Sequence, residues 1–303
     1  MRKLTFGAAL AIGLVGAGGA QQRDFSKVEV KAEVLAPGVA VLTGAGGNIG
    51  LSYGEDGNVL IDDQFAPLTD KIVAAVAAID PDPVRFVINT HWHGDHTGGN
   101  ENLGKRGSVI IAHDHVRMRL SRDTFSSRFN QTIPAVPKAG LPVVTFMQGI
   151  RLHLNGDTLN VVHVPHAHTD GDALVYWEKA NVLHMGDTFF HKTTLPFIDL
   201  ESYGSIDGLV AAVNRGLELA GANTKIIPGH GPMATRGDLL AYRDMLVDVR
   251  GKVAAGIAAG KSKAEIIASK PAGPYEVKDA FISADAFAEA IYDSLTAPKV
   301  TSR

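Results

Sequence analysis

Apolar residues recur along the chain at two different periods, and those periods divide most of it into short strands and amphipathic helices. Alternation or short apolar runs predict strands at Val28–Val34, Gly38–Thr43, Asn48–Ser52 and Asn58–Ile61. The second ends in the Gly44–Gly47 turn cluster, and Glu55–Gly57 suits a hairpin turn because Asp-Gly readily takes positive φ. Leu68–Ile79 carries helical spacing until Asp80-Pro81-Asp82-Pro83 stops it. Val84–Asn89 is a continuous apolar run, the pattern of a strand buried on both faces. A short helix at Asn100–Lys105 and a strand at Ser108–Ala112 follow.

From Ser121 to Leu141 the chain is polar and irregular, rich in Pro, Ser and Arg, and long enough for a lid over a site. Strand patterns resume at Val143–Phe146, Ile150–Leu154, Thr158–Val164, Ala173–Glu178 and Val182–His184, the last two around a Lys179-Ala180-Asn181 turn. Ile206–Ala220 reads as a helix, Lys225–Ile227 as a short buried strand and Gly237–Ala259 as a long helix. The region from Gly260 to Pro274 breaks and restarts the helix, and Ala284–Leu295 completes a helical tail. Strands and helices thus recur twice over with no Ser/Gly linker between them. The pattern predicts one α/β domain over residues 21–303, built of two similar halves with sheets inside and helices outside.

The first twenty residues follow neither period. Arg2 and Lys3 precede an uncharged, apolar, Gly/Ala-rich run from Leu4 to Gly19, and Gly18-Gly19-Ala20 closes it. A basic start, an apolar middle and small residues at the cleavage point are the layout of a secretory signal. Residues 1–20 are therefore expected to be removed, leaving a periplasmic or secreted protein with no stable membrane anchor.

Composition narrows the chemistry. The 303 residues are 45% hydrophobic and 20% charged, an ordinary globular balance, and a net charge of -3 offers nucleic acid no electrostatic footprint. The expected partner is a small-molecule substrate. There are no cysteines, so thiolate nucleophiles, Cys metal ligands and disulfides are excluded. Histidine, with twelve copies, is the residue in surplus.

Three of the twelve gather in one loop. Directly after Val84–Asn89 comes Thr90-His91-Trp92-His93-Gly94-Asp95-His96-Thr97, with four candidate metal ligands within six residues. In an extended start, His91 and His93 point to one side. A bend at Gly94 swings Asp95 and His96 toward a second point, so one loop seeds two metal positions. Neutral imidazoles with a carboxylate suit zinc first, with iron or manganese as alternatives.

This stretch resembles the H-x-H-x-D-H signature of the metallo-β-lactamase-fold superfamily, and the resemblance extends in order over most of the chain. Leu60-Ile61-Asp62 is similar to the family's early strand ending in aspartate. His166-Ala167-His168-Thr169-Asp170-Gly171-Asp172 is similar to the motif of the third histidine, Met185-Gly186-Asp187-Thr188 to that of a bridging aspartate, and Ile227-Pro228-Gly229-His230-Gly231 to the final histidine motif. The resemblance implies a four-layer αββα sandwich with the site at one edge. It implies one metal held by His91, His93 and His168, a second by Asp95, His96 and His230, and Asp187 bridging both. The family pattern places the third histidine just before the threonine, which selects His168 over His166; His163 lies within a strand.

The implied activity is that of a dinuclear zinc hydrolase. A hydroxide bridging the metals would attack an ester, thioester, lactone or amide, and Asp95 would orient it and carry its proton. True β-lactamases resembling this scaffold have cysteine or serine where Asp187 stands, whereas thioesterases, lactonases and phosphodiesterases have aspartate. Weak β-lactam hydrolysis remains an alternative, as do an iron-dependent oxidoreductase and a non-catalytic metal-binding protein. Asp62 and Asp172 are expected to orient ligand imidazoles. His113 and His115 suit capping, His153 and His184 structure, Trp92 packing, and His191 contact with substrate. Ser121–Leu141 and Phe189–Pro196 are expected to shape the pocket.

Overall fold

The computed structural model describes residues 24–128 and 130–298, so the expected signal at residues 1–20 lies outside the described residues. Seven strands form the first sheet: β1 (Lys31–Ala36), β2 (Val39–Thr43), β3 (Ile49–Ser52), β4 (Asn58–Ile61), β5 (Val84–Ile88), β6 (Val109–His113) and β9 (Val144–Phe146), side by side in that order. The first four run antiparallel, and β4, β5, β6 and β9 run parallel. The second sheet has β10 (Gly149–Leu154), β11 (Asp157–His163), β12 (Ala173–Trp177), β13 (Val182–His184) and β14 (Lys225–Ile227), antiparallel except for the final parallel pair. A separate hairpin, β7 (Thr124–Ser126) with β8 (Gln131–Ile133), stands apart from both sheets.

Strict alternation in the strands creates the layers. In β2, Val39 and Val41 face the second sheet while Ala40 and Leu42 face helices. Across the interface, Leu159, Val161, Val175, Trp177, Val182 and Ile227 fill the space between the sheets. The opposite faces of those strands, through Leu174, Leu183 and Ile226, meet the C-terminal helices. Both faces of the inner strands are buried, which accounts for the short apolar runs in β3, β4 and β13, interrupted only by buried Ser52, Asn58 and His184. Helices α1 (Thr69–Ala77) and α3 (Asn100–Lys105) cover the first sheet through Leu68, Ile72, Val76 and Leu103. Helices α5 (Ile206–Leu219), α6 (Arg236–Ala258), α7 (Lys263–Ala268) and α8 (Ala284–Thr296) cover the second. The result is the expected αββα sandwich.

Helix starts follow local chemistry. Thr235 and Asp238 close a reciprocal capping box at α6, and Ser262 with Glu265 repeats it at α7. No described helix is long and apolar enough to cross a membrane.

Several boundaries differ from the expectations. β1 begins at Lys31 and runs to Ala36, because Val28 and Val30 pack against the α1 layer instead of pairing. The Ser121–Leu141 stretch holds the hairpin β7–β8. Before it, α4 (Asp114–Leu120) starts at the strand-to-helix junction, with His113 as its N-cap in the capping role expected of it.

Candidate metal centre

All the loops that matter leave the sheets at one edge. The stretch after β5 stays extended to His93 (φ -64°, ψ 147°) and then turns into a single helical turn, α2 (Gly94–Thr97). That switch, rather than a glycine conformation, separates the two halves of the motif: Gly94 has no positive φ, and a Cβ there would meet nothing. His91 and His93 fall with His168 and Asp187 into one group whose ligand atoms lie within 4.8 Å of one another. Asp95, His96 and His230 form a second such group. Asp187 stands between them, its Oδ2 3.8 Å from His91 Nε2, 3.7 Å from His168 Nε2 and 3.3 Å from His230 Nε2, and its Oδ1 3.1 Å from His96 Nε2. All seven sequence-predicted residues therefore converge.

Backbone bonds between motifs hold this convergence. Gly229 N donates to Gly186 O and Phe189 O, and His191 N donates to His230 O, tying the Asp187 loop to the His230 loop. Asn48 N donates to Gly229 O, and its side chain donates to Pro228 O and Gly231 O at 2.9 and 2.8 Å. Gly47 N donates to Asp95 O. At Gly47 the backbone approaches so closely that a Cβ would overlap the His96 ring.

The outer partners fix which imidazole nitrogen faces inward. Asp62 is held at φ 67° at the end of β4 and accepts from Thr90 N, Thr90 Oγ1 and His96 Nδ1, each at 2.7 Å. His96 thus spends its Nδ1 proton on a carboxylate. Thr90 has spent its single hydroxyl proton on Asp62, so Thr90 Oγ1 must accept from His91 Nδ1, 3.0 Å away. His168 Nδ1 donates to Phe197 O at 2.7 Å. His93 Nε2 donates to Asp199 Oδ2 at 2.9 Å. In each neutral ring the remaining nitrogen is a lone pair aimed into the cluster, a proton placement inferred from these partners.

Inside, the lone pairs face one another. His93 Nδ1 and His168 Nε2 stand 2.9 Å apart, and His91 Nε2 is buried with no hydrogen-bond partner. Two acceptors at that distance repel unless positive charge lies between them, so the donor set fits metal ions. The electrostatics agree. Burial and the neighbouring imidazoles hold His91 well below its ordinary value, and burial together with His93 takes His168 down to about 4. Burial works against protonation at His230 too, but Asp187 and Asp95 carry it up to about 9. For His96, burial is likewise outweighed by Asp187, Asp95 and Asp62, and its value rises. Asp95 of the second group and Asp187 between the groups therefore favour positive charge there. Asp95, although half-buried, is kept ionised by His96 and His230.

The other sequence-predicted residues sort out as follows. Asp62 orients His96, as expected. Asp172 does not touch a ligand imidazole; it accepts from Thr169 N and Oγ1, both at 2.7 Å, and so braces the loop carrying His168. His166 turns away to Tyr203 O, leaving His168 in the cluster. His163 stacks on His113 at 3.8 Å and bonds to Asp172 O. His184 bonds to Asn48 O, and His153 to Thr158 Oγ1. His191, expected to meet substrate, is buried and bonded to Pro232 O.

Asp199 is the important residue that the sequence reading missed. Its carboxylate accepts from His93 Nε2, Ser202 Oγ (2.6 Å) and Ser202 N (3.1 Å), and Trp92 Nε1 donates to Ser202 Oγ at 3.0 Å. Trp92 thus closes a chain that holds the neighbouring His93. The local signal was an acid ending the Pro196-Phe197-Ile198 run.

A cavity of about 1010 Å³ opens over the cluster, lined by His93, Asp95, Asp187 and His230 at its base and by Ile133–Pro137 of the hairpin region.

A family model described as the metallo-beta-lactamase superfamily matches residues 42–252, a span containing all five motifs. The chain belongs to the metallo-β-lactamase superfamily. Among curated proteins, a beta-lactamase-like protein 2 homolog of Caenorhabditis elegans is 26% identical over 182 residues, covering 58% of this chain and 52% of that protein. A hydroxyacylglutathione hydrolase of Nitrosococcus oceani is 28% identical over 166 residues, covering 54% and 55%. The chain thus spans about half the length of these relatives. Among solved structures, a metallo-beta-lactamase from Pontibacter korlensis superposes with a TM-score of 0.60 at 19% identity, covering 72% of this chain and 99% of that one. That likeness shows the superfamily's fold.

Proposed function

We propose that this superfamily member is an exported hydrolase with two metal positions, filled by zinc, that cleaves an ester, thioester, lactone or amide. The observation carrying the proposal is the inward set of lone pairs on His91, His93 and His168, completed by Asp95, His96, Asp187 and His230. His91, His93 and His168 would hold one ion, Asp95, His96 and His230 the other, and Asp187 both. Bound there, such ions supply acidity to a water molecule and polarise the carbonyl under attack.

The chain's own residues do the rest. Asp95 is one-fifth exposed to the cavity and held ionised, so its carboxylate can accept the proton of the attacking water and pass it to the leaving group. Water adds across the carbonyl bond, and an acid and an alcohol, thiol or amine leave. Phe190 and Phe197 lie against His230 and His93 with near-parallel rings, restricting water at the base of the cavity.

The test is metal analysis of the mature protein, joined to a panel of small esters, thioesters, lactones and a chromogenic cephalosporin. Two zinc ions per chain, turnover, and loss of turnover on chelation with recovery on adding zinc are expected. Iron with oxygen uptake, or metal without any turnover, would overturn the reading. N-terminal sequencing of the exported protein checks cleavage near residue 20.

A further inference from the structure

The base of the cavity is polar, but its walls are not. Phe65, Phe197 and Phe281 are all half-buried on its lining, and Phe190 completes an aromatic wall above the carboxylates. Phe281 meets Phe197 edge-on at 6.0 Å between centroids, and Phe197 in turn stacks on His93. Opposite them stands an apolar roof. Ile133 and Val136 pack on the small core formed by Trp92, Ala112, Val116 and Leu120, which anchors the hairpin over the cluster. Arg128 at the hairpin reaches across and lies 5.0 Å above Phe197 and 4.6 Å above Phe281, joining roof to wall.

Outside the cluster, the charged side chains on this lining are Glu101, paired with Lys105, the exposed Arg122, Arg119 and Lys192. Arg119 is buried in a two-point bond to Asp170, and Lys192 is exposed and faces Asp238. The interior between wall and roof is left as open apolar surface next to the reacting centre, in a volume that suits a ligand of drug size.

We infer that this site selects substrates bearing a bulky apolar acyl group, a chain of roughly six to ten carbons or an aromatic ring, seated between the phenylalanine wall and Ile133. The inference rests on the hydrolase reading above for its chemistry, but on the cavity alone for its selectivity. A hydrophilic acyl group would strip its hydration against Phe65, Phe197 and Phe281 without gaining hydrogen bonds there, whereas each methylene of an apolar one leaves water.

The experiment uses zinc-loaded mature protein and p-nitrophenyl esters from acetate to decanoate. Since the leaving group is constant, kcat/KM reports acyl recognition and is expected to rise about threefold per methylene until the cavity is filled. Ile133→Lys and, separately, Phe281→Ala are expected to lower the decanoate-to-acetate ratio about tenfold each. A flat or falling profile in a protein that turns over the esters overturns this inference and leaves the hydrolase reading standing. If no ester is cleaved, turnover no longer reports the acyl group, and calorimetry decides the selectivity alone. Decanoate is then expected to bind at least about a hundredfold more tightly than acetate, and less tightly to Ile133→Lys. Equal affinities would refute the selectivity.

Discussion

Replacing Asp199 by asparagine isolates the part of the site that acts through another residue. Both carboxylate oxygens receive donors: Oδ2 takes His93 Nε2 and Ser202 Oγ, and Oδ1 takes Ser202 N. Ser202 Oγ also accepts from Trp92 Nε1, and whichever way its hydroxyl turns, Ser202 N and the His93 Nε2 proton remain donors toward this carboxylate. An amide carries a donor on one side, so in either orientation a donor meets a donor. If the NH2 group faces His93, the ring must present its Nε2 lone pair outward and turn a protonated Nδ1 toward His168. Metal affinity at that position should then fall about ten- to a hundredfold, or about 1.4–2.7 kcal/mol. The unsatisfied contact should also cost about 1–3 kcal/mol of stability in the metal-free protein. Competition against a chromophoric chelator measures the first, and urea unfolding of the metal-free form measures the second. A folded Asp199→Asn variant with wild-type affinity for both ions would refute the reasoning.

Three further outcomes follow from the same geometry. Asp95→Ala should abolish turnover and lower occupancy of the second metal position, read from kcat and from metal per chain; unchanged turnover removes its assigned role. Gly47→Ala should displace the His96 ring, weakening the second metal and destabilising the fold by about 1–3 kcal/mol, measured by chelator competition and denaturant unfolding. Burial and His163 pull His113 down to about 4. An unfolded histidine titrates near 6.5, so between those values the unfolded chain binds more protons and stability falls as pH drops from about 6.5 toward about 4. His113→Gln should flatten that slope in unfolding midpoints measured across the window, and an unchanged slope would place the acid sensitivity elsewhere.

Sequence patterning carried far here because its two periods coincide with two burial environments. Val39–Leu42 alternates between two separate cores, and Val84–Ile88 ends where the metal loop begins, so strand, loop and ligands could be read in one pass. The periods failed where elements are too short to show them. Three-residue strands such as Thr124–Ser126 carry less than two repeats. Residues acting by long-range hydrogen bonding were also hidden. Asp199 lies 106 positions from His93, and Asn48 180 from Pro228, so no local spacing ties them together. Asp172 was misjudged for the complementary reason: its nearness to His168 in sequence suggested an imidazole partner, but the nearest backbone donor claimed it.

The hairpin's attachments give the molecule a division of labour. Arg128 rests on phenyl faces, Ser127 N bonds to Glu201, Ala135 N to Asp123, and Ile133 packs on Trp92 and its neighbours. Neither of these hydrogen bonds ends on one of the seven clustered side chains. Sequence drift in residues 124–133 can therefore retune which molecules enter while the inorganic core stays as it is, so specificity and reactivity are free to evolve on separate clocks.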